Sequence, residues 1–159
     1  MKNSIYFLLS ASLCVCLASC GDKKSPKMEE AGKIHLESMA IEETLHEQVE
    51  GIDSLKIVLQ EKRKNLTDAA ATASLDSTVA MLDAVAKSFE TWEENLVEVP
   101  GLAHEHHHHE GEEHHHDHKP APNVSSEQML EIQKEIKANI EKIKADMTKA
   151  EQMLNKIGG

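Results

Sequence analysis

Cysteine is absent from everything after the first twenty residues: the chain's three cysteines are Cys14, Cys16 and Cys20. Beyond them there is no thiol for nucleophilic catalysis, no thiolate metal ligand and no second half of a disulfide. Aromatic residues are nearly missing as well, at 3% of the chain, and after residue 20 only Phe89 and Trp92 remain. That scarcity argues against an aromatic sugar-binding platform and against a large β-sandwich. Basic residues are outnumbered, 17 Lys and Arg against 28 Asp and Glu, for a formal charge of −11. A surface so acidic argues against nucleic acid and against a polybasic hold on anionic lipid. Gly-rich phosphate loops, CxxC and HExxH are also missing, and no acid/base pair stands out among the carboxylates. The expectation is therefore a protein that is not an enzyme.

What is present begins with a secretion signal at residues 1–19. Lys2 gives the positive start, and Ile5 to Leu17 is apolar apart from Ser10 and Ser12. Such a run is shorter than the roughly 20 residues needed to span a bilayer. It closes on Leu17-Ala18-Ser19-Cys20, which matches the lipobox of bacterial lipoproteins: an apolar residue, two small ones, then the cysteine that is lipidated. Cleavage before Cys20 removes one charge, Lys2, and leaves a length suited to one domain. Anchoring would come from acyl chains on Cys20, two or three of which hold stably. Gly21 rather than Asp follows the cysteine, and the resemblance to known lipoprotein sorting favours the outer membrane, with its periplasmic and surface faces both open.

Residues 20–33, with Gly21, Pro26 and Gly32 among charges, read as a lipidated tether. Residues 34–99 carry two helical patterns. In the first, Ile34, Ile41 and Leu55 share one seven-residue track, interrupted by Gln48, and Leu45, Ile52, Leu59 and Leu66 share its partner, with Val49 and Val58 widening the stripe. Gly51 is a weak point costing about 1 kcal/mol relative to Ala. Near Asn65 the stripe breaks, and Thr67, Asp68 and Asp76 are each possible N-caps for the second helix. That helix aligns Leu75, Leu82, Phe89 and Leu96, flanked by Val79, Val85, Ala86 and Trp92, and stops at Pro100-Gly101. Over residues 125–157, Ser125 with Gln128 forms a capping box. Met129, Ile132, Ile136, Ile140, Ile143, Met147, Ala150, Leu154 and Ile157 then step by threes and fours to Gly158-Gly159.

Three striped helices most simply bury their faces in one another. The expectation is an all-α, antiparallel three-helix bundle with long coiled-coil-like helices; self-association into an extended coiled coil is the competing arrangement. The first helix would lead away from the membrane and the second return, bringing the segment after Pro100 back towards it.

That segment, 100–124, holds the chain's most loaded chemistry. His104, His106, His107, His108, His109, His114, His115, His116 and His118 are nine of its eleven histidines, interleaved with Glu105, Glu110, Glu112, Glu113 and Asp117. Lys119-Pro120-Ala121-Pro122 closes it. Tracts of this kind bind metal: neutral imidazole is the commonest protein ligand, and carboxylates complete or neutralise a site. Many interchangeable ligand sets predict weak, exchangeable binding of Cu²⁺, Ni²⁺ or Zn²⁺, with Cu²⁺ the tightest and nothing held permanently. The same redundancy argues against a catalytic centre. Three other readings stand beside it: a purification tag, a solvated linker, and a loop whose charge changes with pH, from −5 with histidines neutral to +4 with all nine protonated. His35 and His46 stand apart, about 20° apart in azimuth but three turns apart in height. They cannot share a metal, and they read as surface histidines without a role.

The lipobox, the Glu61-Lys62-Arg63-Lys64 stretch, Leu75-Asp76-Ser77 leading to Phe89-Glu90-Thr91-Trp92, and the Ile/Lys-rich last helix together resemble the small helical lipoproteins of Bacteroidota labelled "viral A-type inclusion protein". The resemblance covers most of the chain after Cys20. It implies no activity and no catalytic residues, and the long histidine tract departs from it. The functional expectation is a membrane-anchored lipoprotein that binds or buffers divalent transition metal through the tract. The alternative is a structural or interaction lipoprotein whose helical face recruits a protein partner, with the loop incidental or pH-responsive.

Overall fold

In the computed structural model the described residues are 25–102 and 122–158. They form four helices: α1 (Pro26–Glu50), α2 (Ile52–Lys64), α3 (Ala69–Glu94) and α4 (Ser126–Gly158). The fold is all-α and bundle-like. None of these helices is long and apolar enough to cross a membrane.

Side-chain pairs fix the directions. Lys27 meets Glu127, Glu37 meets Lys137, Gln48 meets Glu151, and Lys62 donates to the Ile157 carbonyl, so α1 and α2 run parallel with α4. Arg63 meets Asp76, Lys56 meets Asp83, and His46 lies beside Glu93, so α3 runs antiparallel to the α1–α2 pair. One core holds Leu45, Ile52, Leu59, Leu75, Leu82, Phe89, Trp92, Ile140, Ile143 and Met147. A smaller cluster of Met28, Ala31, Val99, Met129 and Leu130 lies at the end where the chain enters α1.

The expected tether is helical from Pro26 onward. Ser25 accepts from the Met28 amide and Pro26 sits in the first turn, where its missing N–H costs nothing. The seven-residue track through Leu45, Ile52 and Leu59 continues backwards through Ser38 and Ala31, both fully buried. These are small residues, so the stripe is present without looking hydrophobic. Ser38 tolerates burial because its hydroxyl donates to the Ile34 carbonyl at 2.9 Å.

The first long helix is divided at Gly51, which keeps helical angles (φ −72°, ψ −15°) while the chain turns from α1 into α2. Val58 does not widen the stripe: it is 63% exposed, as is Ile57. α3 is capped by Asp68, whose carboxylate accepts from the Ala71 amide at 2.7 Å, and it stops at Glu94, short of Pro100. Leu96 and Val99 nevertheless stay buried beyond its end. Pro100-Gly101 form a tight turn closed by Leu102 N–H to the Val99 carbonyl at 3.3 Å; Gly101 has φ +86°, a value glycine takes without strain. α4 begins with the expected reciprocal box: the Ser125 amide donates to Gln128 Oε1 (3.0 Å) and the Gln128 amide to Ser125 Oγ (3.3 Å).

Candidate functional site

Cys20 and all nine tract histidines, His104, His106 to His109, His114 to His116 and His118, lie outside the described residues. The described chain runs up to Leu102 before the tract and resumes at Pro122 after it. Leu102 packs over α1 at Gly32, where an added Cβ would stand 3.4 Å from Leu102 Cδ2. Val124 packs on the cluster containing Met28 and Ala31. Both flanks therefore sit at the end of the bundle where α1 begins, Leu102 against Gly32 and Val124 on the small cluster that α1, α4 and Val99 share.

The two remaining histidines do not stand on the open surface as expected: His35 is buried and His46 is half-buried. His35 is 2% exposed. Its Nδ1 lies 3.2 Å from Gln133 Oε1, and Gln133 Nε2 donates to the Val97 carbonyl at 2.7 Å. A carbonyl only accepts, so the Gln133 amide nitrogen must face Val97 and its oxygen must face His35. His35 Nδ1 is then the protonated, donating nitrogen. Three segments, α1, α4 and the stretch after α3, are joined through one buried amide.

His46 lies a few turns further along α1 and faces carboxylates. Its Nδ1 is 3.8 Å from Glu42 Oε1 and 3.7 Å from Glu93 Oε1, while its Nε2 is 3.2 Å from Glu50 Oε1. One ligand atom each from Glu42, His46 and Glu93 lies within 4.8 Å of the others. The sequence explains the placement: Glu42, His46 and Glu93 directly follow Ile41, Leu45 and Trp92, residues of the apolar seams. One step of about 100° from the seam puts each side chain at the edge of the helix contact. Glu42 and Glu93 are accordingly only 20% and 17% exposed, and His46 28%. The Phe89 ring, with its centroid 6.1 Å from that of His46, backs the imidazole.

The spacing Glu42, His46, Glu50 was a readable signal, because residues four apart share a helix face. Glu93 was not, since its approach depends on the register of α1 against α3. No protein-family model, curated protein or solved structure matches this chain.

Proposed function

We propose that this protein is a lipoprotein of the cell envelope, held through acyl chains on Cys20, whose histidine tract captures and releases divalent transition metal. In this reading α1 and α2 act as one interrupted rod, making an up-down-up three-helix bundle with α3 and α4. The bundle is a scaffold for the tract over residues 104–118, and no reaction is catalysed. The outer membrane is the proposed location. The observation that carries the proposal is the density of imidazole: nine histidines among fifteen residues, with Leu102 before the segment and Val124 after it packed at the end of the bundle where α1 begins. Metal would be bound close to the anchored end of the domain, by ligand sets that exchange readily.

Calorimetric titration of the mature protein with Cu²⁺, Ni²⁺ and Zn²⁺ tests this. Binding should weaken in steps as His106 to His109 and then His114 to His116 are replaced by Ala. It should also fall steeply from about pH 7 to pH 5, because protons compete for imidazoles whose ordinary pKa is about 6.5. Binding no tighter than millimolar overturns the proposal, and so does loss of all binding on replacing a single histidine. Cys20→Ser should abolish partition into detergent, and a mutant that still partitions like wild type removes the anchor from the reading.

The exposed pair Ile57 and Val58 on α2 supports a second reading, in which the bundle recruits a protein partner and the tract is incidental. Failure of metal binding together with capture of one partner, lost on Ile57→Glu, would favour it.

A further inference from the structure

We infer that Glu42, His46 and Glu93 form a fixed Zn²⁺ site on the flank of the bundle, separate from the histidine tract and independent of it. Bonds of about 2.0–2.2 Å to a tetrahedral zinc ion place neighbouring ligand atoms roughly 3.3 Å apart. His46 Nδ1 already stands 3.8 Å from Glu42 Oε1 and 3.7 Å from Glu93 Oε1. These two separations exceed a hydrogen bond and need to close by about half an ångström, and one carboxylate oxygen of Glu42 lies within 4.8 Å of one of Glu93. The three side chains come from two helices locked together by the core, so the set is preorganised in a way that the tract is not.

Glu50 supplies a further element. Its carboxylate lies 3.2 Å from His46 Nε2, the ring nitrogen on the far side from Glu42 and Glu93. A carboxylate there favours the proton on Nε2 and directs the basic Nδ1 to the metal, the carboxylate–histidine–metal relay found around zinc ligands. Nδ1 itself is shielded from solvent. Glu93 lies in the last turn of α3, the negative end of that helix's dipole. One imidazole with two carboxylates suits zinc better than Mg²⁺ or Ca²⁺, which take all-oxygen shells. With three protein ligands, water would complete the coordination.

The test uses the full mature chain with all nine tract histidines replaced by Asn, titrated with Zn²⁺ alone. One Zn²⁺ per chain should bind, and the same protein loaded with Co²⁺ should show the intense visible absorption of tetrahedral coordination. His46→Gln and Glu93→Gln should each weaken Zn²⁺ binding at least tenfold, and Glu50→Gln should weaken it less. Zinc should also raise the melting temperature of the tract-free chain and not that of its His46→Gln variant, a readout that survives partial destabilisation by the substitution. A tract-free chain that binds no Zn²⁺ below millimolar overturns the inference, as does binding indifferent to His46→Gln. The tract's role is judged separately, by whether the unsubstituted chain binds more metal than the tract-free one.

Discussion

His35 and Gln133 meet across the α1–α4 contact with Nδ1 3.2 Å from Oε1, both side chains almost wholly out of water. The same amide holds the Val97 carbonyl, so removing it takes one bond from the buried His35 Nδ1 and one from a part-buried carbonyl together. Unsatisfied groups of this kind cost about 1–3 kcal/mol each. Gln133→Ala should therefore destabilise by about 2–4 kcal/mol and His35→Ala by about 1–3 kcal/mol. Urea denaturation of the double variant should give a loss smaller than the sum of the two single losses, because the groups share one network. Strict additivity would mean that the contact contributes nothing.

The parts of the fold visible in the sequence were those carried by bulky side chains. Ile136, Ile140, Ile143 and Met147 announce the seam of α4, and all are buried as the stepping required. Ser125 with Gln128 announces where that helix begins. By contrast, Ala31 and Ser38 occupy the same track as Leu45 but carry too little apolar surface to mark it, so the opening turns of α1 read as a tether. Val58 misled for the opposite reason: a β-branched apolar residue one step off the seam faces solvent. Whether His46 meets Glu93 depends on the relative register of two helices distant in sequence, which no local pattern encodes.

Arg63 joins α2 to α3 through two bonds to Asp76, Nε to Oδ1 at 2.6 Å and Nη2 to Oδ2 at 3.0 Å. The Arg63 hydrogen bonds hold the Asp76 carboxyl below its ordinary value of 3.8. A depressed carboxylate contributes stability above its unfolded pKa and loses it as pH falls through the folded one. Thermal melts should show a component that is constant above about pH 5 and declines below about pH 4. Asp76→Asn should flatten part of that decline, and 0.5 M NaCl should shrink it, because the pair is solvent-exposed. An unchanged acid profile in Asp76→Asn would assign the decline to other carboxylates, among them Glu127, which Lys27 holds low in the same way.

Gly51 keeps right-handed helical angles at the junction of α1 and α2, so nothing in its backbone requires glycine. A Cβ there would stand 3.4 Å from the Gln48 carbonyl, an ordinary contact. Gly51→Ala should stabilise the protein by about 0.5–1 kcal/mol, by reducing the freedom of the unfolded chain and raising helix propensity. For a domain of this size the melting temperature should rise by about 2–5 °C. Amide exchange near residues 50–55 should slow at the same time. A fall in stability would show that the junction needs a conformation alanine cannot follow.

The last prediction separates the tract from its scaffold. Leu102 packs against α1 at Gly32 and Val124 on the small cluster at the same end, and residues 104–118 are His, Glu, Gly and Asp alone, with no apolar side chain to bury. Deleting 104–118 removes no buried apolar side chain among these, and shortening the connection lowers the closure entropy by about 1 kcal/mol. Helicity by circular dichroism should therefore hold, and the melting temperature should stay level or rise slightly. Ile143→Asp is the contrasting case. It places a carboxylate at a site 6% exposed, among apolar residues of the main core, and should cost several kcal/mol, enough to loosen or unfold the bundle. If the deletion instead lowers helicity as Ile143→Asp does, the tract supports the bundle, and its histidines would have to be weighed as structural residues before any role in metal exchange.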